Sequence, residues 1–226
     1  MANQSVSSIA SPTAAPLRVG VLISGGGRTL LNLHQLSQQG RLPIRVVRVI
    51  ASRDCEGVVK ARAAGLDVQV VPFKQIGDLA AYSDRIAELL VQADVQLVLL
   101  AGFLSMWRIP PRFEGRVMNI HPALLPGFGG QGMYGHHVHE AVLAAGCKVS
   151  GCTVHFVTNQ YDEGPIILQR CVPVLEGDTP DSLADRVLEQ ECLAYPEAIG
   201  LLATGRLRIE GKVVRVLPAG PGGGQS

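Results

Sequence analysis

Apolar residues along the chain fall into short runs set apart by polar turns and helical stretches. Leu17 to Ile23 is nearly continuous, broken only by Arg18 and Gly20. Such a run suits a strand buried on both faces, as in a parallel sheet. It stops at Ser24-Gly25-Gly26-Gly27-Arg28-Thr29, and a helical pattern with Leu30, Leu33 and Leu36 follows. Ile44 to Ser52 reads as a second strand and Glu56 to Ala64 as a short helix closed by Gly65. Val68 to Phe73 reads as a third strand. Asp78 to Ala93 forms an amphipathic helix, with Leu79, Tyr82, Ile86 and Leu89 at helical spacing. Val95 to Leu100 and Val117 to His121 complete the first series of strands. Alternation of this kind predicts βαβ units and an α/β fold: a doubly wound, mostly parallel sheet with right-handed crossovers.

The second half changes character. Pro126 to His139 carries five glycines, and a helix is expected to start at about His137. Val149 to Val157 alternates as a strand, Thr158 to Gly164 is a polar turn, and Ile166 to Leu175 is another strand. Thr179-Pro180 reads as a helix N-cap followed by proline at the first helical position. That helix should run to about Ala203 and be kinked or split at Pro196. Arg206 to Leu217 predicts a C-terminal hairpin around Glu210-Gly211. No repeat and no linker interrupts 17–218, which reads as one domain between a disordered leader, 1–16, and a disordered Gly-rich tail, 219–226.

Composition narrows the class. The chain has 226 residues, 47% of them apolar, and a net charge of +1. That supports a sizeable core and argues against a broad nucleic-acid surface. No apolar run approaches the roughly 18 residues of a membrane span, and no secretory signal is evident. Five scattered cysteines without a C-x-x-C pair read as reduced thiols of a cytoplasmic protein.

Candidate chemistry centres on Val117-Met118-Asn119-Ile120-His121-Pro122. Side chains at i and i+2 share a face of a strand, so Asn119 and His121 point the same way at its end. An amide and an imidazole together can polarise a carbonyl and move a proton. Asp162, in the later polar turn, could join them and orient the imidazole or take a proton. Gly25, Gly26, Gly27, Arg28 and Thr29 sit between a strand and a helix, where backbone N–H groups and a guanidinium favour a phosphate. No activated nucleophile accompanies these groups, so direct acyl transfer between two bound substrates fits better than a covalent intermediate. His136, His137 and His139 lack the spacing of a zinc site, and no metal is expected.

These residues also carry a resemblance. Leu22-Ile23-Ser24-Gly25, Ala101-Gly102-Phe103, Asn119-Ile120-His121-Pro122-Ala123-Leu124-Leu125-Pro126, Val154-His155-Phe156-Val157 and Asp162-x-Gly164-Pro165-Ile166-Ile167 occur in the order found in the phosphoribosylglycinamide formyltransferases. The chain resembles that folate-dependent family over nearly all of 17–217. The resemblance implies a Rossmann-like formyltransferase fold. It implies 10-formyltetrahydrofolate as donor co-substrate and the amine of glycinamide ribonucleotide as acceptor, in purine biosynthesis. It implies Asn119, His121 and Asp162 as the catalytic set and Glu191 as the ribose contact. The pterin would lie against Phe103, Leu104 and Val117, with Val157, Thr158, Asn159 and Tyr161 of the loop to Asp162. Two small-molecule substrates are the expected partners, with a homodimer allowed and neither nucleic acid nor membrane involved.

The pattern departs from the family in three places. The phosphate loop is Gly25-Gly26-Gly27-Arg28-Thr29 where Gly-x-Gly-Ser-Asn is common. A family arginine falls at Ser105, with Arg108 as a substitute. The loop after Pro126 is longer by a few residues. Formyltetrahydrofolate hydrolase is the nearest alternative; it shares the catalytic set, but usually has an extra N-terminal domain and a histidine where Pro122 stands. A transferase acting on a sugar nucleotide or on initiator methionyl-tRNA is a third reading, and a non-enzymatic phosphate-binding module is the alternative of a different class.

Overall fold

The computed structural model describes residues 15–219. The expected leader and tail lie outside the described residues, apart from Ala15, Pro16 and Ala219. Among the described residues nine strands form one sheet in the order β3-β2-β1-β4-β5-β6-β7-β9-β8. They are β1 (Leu17–Ile23), β2 (Ile44–Ala51), β3 (Val68–Val70), β4 (Leu97–Leu100), β5 (Val117–His121), β6 (Val149–Phe156), β7 (Ile166–Pro173), β8 (Leu207–Glu210) and β9 (Val213–Val216). Strands β1 to β5 pair in parallel, and β6 is antiparallel to both its neighbours. The doubly wound, mostly parallel sheet expected from the sequence is therefore present.

Alternation along the strands sorts the core into two layers. Val19, Val21 and Ile23 of β1 face one side, with α1 (Arg28–Gln38), α2 (Glu56–Ala63), α5 (His136–Ala144) and α6 (Pro180–Ala203). Leu22 faces the other, against α4 (Leu79–Gln92). Gly20 shares that second face. A Cβ there would come within 2.5 Å of Leu90 Cδ2, so glycine lets α4 lie close on the strand. Tyr195 of α6 reaches through the first layer, and its hydroxyl lies 3.1 Å from the Leu100 carbonyl and 2.8 Å from that of Met118. It thus fastens α6 to β4 and β5, the two strands that end at the centre of the sheet.

Four expectations change. The third strand stops at Val70, because Pro72 cannot extend a ladder; Phe73–Ile76 forms the short helix α3, with the Phe73 ring edge-on to Tyr82 at 5.3 Å. β7 ends at Pro173 for the same reason, two residues before the expected Leu175. The C-terminal hairpin forms as read, but it also extends the sheet, β9 pairing in parallel with β7 at Ile166 and Val213. Helix α6 is not split at Pro196. The carbonyl that Pro196 leaves without an N–H belongs to Cys192, four residues back, and it accepts from Asn32 Nδ2 at 3.0 Å. With that carbonyl satisfied from outside, the helix continues.

The Tyr195 hydroxyl gives the first prediction. Tyr195→Phe keeps the ring and removes the hydroxyl that α6 aims at the two strand ends, so it should cost about 1 kcal/mol of stability. Chemical denaturation would read this as a lower midpoint with an unchanged slope; an unshifted midpoint would show that the bridge contributes nothing.

Candidate active site

Strand β5 delivers Asn119 and His121 to the same face, as the period of two requires, with Asn119 half-buried and His121 buried. The antiparallel partner β6 sets His155 opposite Asn119 and Thr153 opposite His121. Both pairings matter. His155 Nδ1 lies 2.9 Å from the Phe156 carbonyl, so that nitrogen carries the proton and donates it. Its bare Nε2 accepts from Asn119 Nδ2 at 3.1 Å. Burial pushes the His155 pKa down, opposed by the Phe156 carbonyl and by Asp162, which keeps the ring a neutral acceptor. The amide of Asn119 is thereby held in one orientation. Thr153 serves the turn beyond His121: its hydroxyl donates to the Ala123 carbonyl at 2.6 Å and accepts from Leu125 N–H at 3.0 Å.

Asp162 arrives from the turn after β6. Gly164 lies so close to the Phe156 carbonyl that a Cβ has no room. That tight return carries Asp162 over the end of β5. Asp162 itself has φ 54°, a left-handed conformation that an aspartate holds only against strain. Its Oδ2 lies 3.7 Å from His121 Nδ1 and its Oδ1 3.7 Å from His155 Nε2. Gly130 N–H donates to Oδ2 at 2.8 Å. The other nitrogen of His121, Nε2, donates to the Phe128 carbonyl at 2.9 Å. The glycine-rich loop therefore touches both members of the pair through its backbone. Gly129 permits this, since a Cβ there would come within 2.5 Å of Leu125 Cδ2 and 3.2 Å of Asp162 Cβ.

The glycine loop opens α1, with Gly27 at φ 73° in the capping position. It rests on a second glycine that sequence reading did not single out. Gly57 N–H donates to the Gly25 carbonyl at 3.0 Å, and a Cβ on Gly57 would come within 2.5 Å of that oxygen. The Arg28 side chain is exposed and pairs with Asp185 of α6 at 3.4 Å. Ser24 ties this loop to the next one, its hydroxyl accepting from Leu104 N–H at 2.8 Å.

A cavity of about 400 Å³ joins these parts. Gly25 to Thr29, Phe103, Leu104, Asn119, His121, Tyr161, Asp162 and Glu191 all line it. A smaller cavity of about 100 Å³ adjoins it behind Asn119, lined by Phe103, Val157, Thr158, Asn159 and Tyr161 among others. Val117 lines neither: it is wholly buried in the α4 layer, and its carbonyl accepts the Val157 N–H at 2.9 Å. Asn159 has a structural tie as well, its Oδ1 accepting from Ile109 N–H at 2.8 Å. Arg108 lines neither cavity.

His136 and His137 pair with Asp181 and Glu140 at the surface, at 3.4 Å and 3.3 Å. His139 lines the large cavity and is buried, which pushes its pKa down to about 4. Among the described residues no group of three or more His, Cys, Asp or Glu is placed to hold a metal. The role of His155, which the sequence marks only as part of a motif, and the position Gly57 carry no local signal in the sequence. Only the β5–β6 register and the approach of α2 to the glycine loop reveal them. Chemically, the site offers an amide, an imidazole and a carboxylate at one end and a ring of backbone N–H groups at the other. The first set suits a developing oxyanion with a proton in motion, the second a phosphate.

Residues 17–199 match the formyl transferase family. The chain is 38% identical over 195 residues to the chloroplastic phosphoribosylglycinamide formyltransferase of Arabidopsis thaliana, covering 84% of this chain and 67% of that one. It is 38% identical over 196 residues to the trifunctional purine biosynthetic protein adenosine-3 of Gallus gallus, spanning 85% of this chain and only 19% of that protein. Among solved structures, glycinamide ribonucleotide transformylase 1 from Symbiobacterium toebii superposes with a TM-score of 0.86 at 45% identity, over 91% of this chain and 96% of that one.

Glu191 generates a pH prediction. Burial pushes its carboxyl up to about 7 from an ordinary 4.5, with Arg28 opposing. The folded chain then holds a proton that the unfolded chain releases, so the stability this group contributes at low pH is lost as pH rises from about 4.5 towards 7. Glu191→Gln abolishes that loss. Its melting temperature relative to the unsubstituted protein should climb between pH 5 and pH 8 in a thermal-shift series; a constant difference would assign Glu191 an ordinary pKa.

Proposed function

The chain belongs to the formyl transferase family, and from that membership we propose that it moves the formyl group of 10-formyltetrahydrofolate to the amine of glycinamide ribonucleotide. The observation that carries this reading is a single cavity with Asn119, His121 and Asp162 at one end and the loop Gly25 to Thr29 with Glu191 at the other. A two-substrate transfer needs both ends; hydrolysis of the donor needs only the first.

In this reading the acceptor's phosphate sits on the N–H groups of Gly25 to Thr29 at the start of α1, with Arg28 at the rim and Glu191 on the ribose hydroxyls. The donor's pterin enters the smaller cavity, between Phe103 and the Val157 to Tyr161 loop. Leu104 borders the passage between the two ligands. The amine attacks the formyl carbon and a C–N bond forms. The formyl oxygen gains charge and is held by the Asn119 amide, which His155 keeps in place, and by His121. To reach that oxygen, His121 Nε2 gives up its bond to the Phe128 carbonyl. Asp162 stays against the imidazole and accepts the proton lost by the amine, directly or through water. Collapse of the tetrahedral carbon breaks its bond to the folate nitrogen, which takes up a proton. We place this activity in the cytoplasm, a reading supported by the free state of all five cysteines.

Holding two reactants in attack range can contribute roughly 7–11 kcal/mol to such a reaction. Formyl-folate should accordingly be consumed rapidly only when glycinamide ribonucleotide is present, with formylated nucleotide as product. Fast, acceptor-independent release of formate would make the chain a hydrolase and refute the reading. Asn119→Ala should lower kcat by roughly 10²–10³, and Asp162→Asn should abolish transfer while calorimetry still shows both ligands bound. A second experiment bears on the phosphate end. Arg28→Ala should raise KM for the nucleotide only modestly, because the guanidinium is exposed and shared with Asp185; a large rise in KM for formyl-folate would contradict the assignment.

A further inference from the structure

Pro196 lies just over one turn beyond Glu191 in α6. In an unbroken helix the N–H at position 196 would bond the Cys192 carbonyl and leave only its second lone pair for an outside donor. Proline leaves that acceptor open, and Asn32 Nδ2 takes it at 3.0 Å in a partly buried setting. Asn32 stands one turn into α1, the helix whose first turn carries the glycine loop. Cys192 adjoins Glu191, whose side chain lines the same cavity as Gly25 to Thr29. The other polar link between α1 and α6 among the described residues is the Arg28–Asp185 pair, whose side chains are 62% and 73% exposed. Exposed pairs of that kind hold geometry weakly. Beside the apolar packing of Leu30 and Leu33 in the layer they share with α6, the sheltered amide–carbonyl bond is the directional contact that ties the two helices near the cavity.

We propose that Asn32 is a positioning residue for the acceptor: by bonding the carbonyl that Pro196 leaves open, it sets the spacing between the phosphate-binding loop and Glu191 to the length of a phosphorylated pentose. This rests on the acceptor reading given above. Phosphate and ribose hydroxyls are held by different helices, so the fit of a sugar phosphate depends on the distance between them. A displacement of about 1 Å at such a site can cost on the order of 10²-fold in rate. The folate end, built on β5, β6 and the Asp162 turn, does not share that dependence.

Three variants test it: Asn32→Ala, Pro196→Ala and the two combined. Asn32→Ala should lower the melting temperature and raise KM for glycinamide ribonucleotide about tenfold, leaving KM for formyl-folate unchanged. Adding Pro196→Ala restores an N–H to the Cys192 carbonyl and should return the melting temperature, while KM for the nucleotide stays high because the helices remain untied. If Asn32→Ala alone does not fold, the double variant carries the comparison. Nucleotide KM equal to that of the unsubstituted protein, or KM returning together with stability in the double variant, would reduce Asn32 to a structural cap. An unsubstituted protein that forms no formylated nucleotide would overturn the acceptor reading and this inference together; transfer with unaltered KM in the variants would overturn this inference alone.

Discussion

The antiparallel pairing of β5 with β6 is the constraint on which the site depends. Strands β1 to β5 run in parallel, whereas β6 returns after α5 in the opposite direction and lies directly against Asn119 and His121. That single register supplies His155 to orient the amide, Thr153 to brace the turn at Ala123 and Leu125, and a short exit that drops Asp162 back over the strand end. A slip by one residue would turn all three away together.

The polar cluster has a cost that the apolar layers around it must offset. Asp162 holds a left-handed backbone, its carboxylate faces two buried imidazoles, and His139 keeps a buried Nδ1 with no hydrogen-bond partner among the described residues. Each is a departure from what stability alone would select, of the kind that gathers where chemistry is done. The supports are correspondingly firm: wholly buried Phe156 and Val154 on β6, Met118 on β5, and Tyr195 spanning both central strands from below.

Much of this was legible in the sequence, and the parts that were not share a cause. Local periodicity revealed β1, the glycine turn and α1, and it placed Asn119 and His121 on one face, because those relations lie within a few residues. The Thr179-Pro180 start of α6 was equally local. His155 could not be recognised as the partner of Asn119, since the pairing spans 36 positions and rests on register. Gly57 looked like an ordinary helix residue until α2 was seen to lie against the Gly25 carbonyl. Pro196 is of the same kind: the helix is not split there, and the donor that meets the carbonyl it leaves open comes from α1. Val117, which the resemblance implies for the pterin wall, shares the face of Asn119 and His121 but lies two residues deeper in the strand, buried in the α4 layer.

The glycine-rich loop reaches the reacting groups with main-chain atoms alone: the Phe128 carbonyl on His121 and the Gly130 N–H on Asp162. Side chains at Gln131, Met133 and Tyr134 hold neither contact. Reactivity and selectivity are thereby written on different parts of the same segment. Its backbone path sets the state of the imidazole–carboxylate pair, while its side chains, with Met133 and Tyr134 on the cavity wall, are open to exchange. A loop built this way is a natural place for evolution, or an engineer, to retune which amine is accepted without rebuilding the chemistry beneath it.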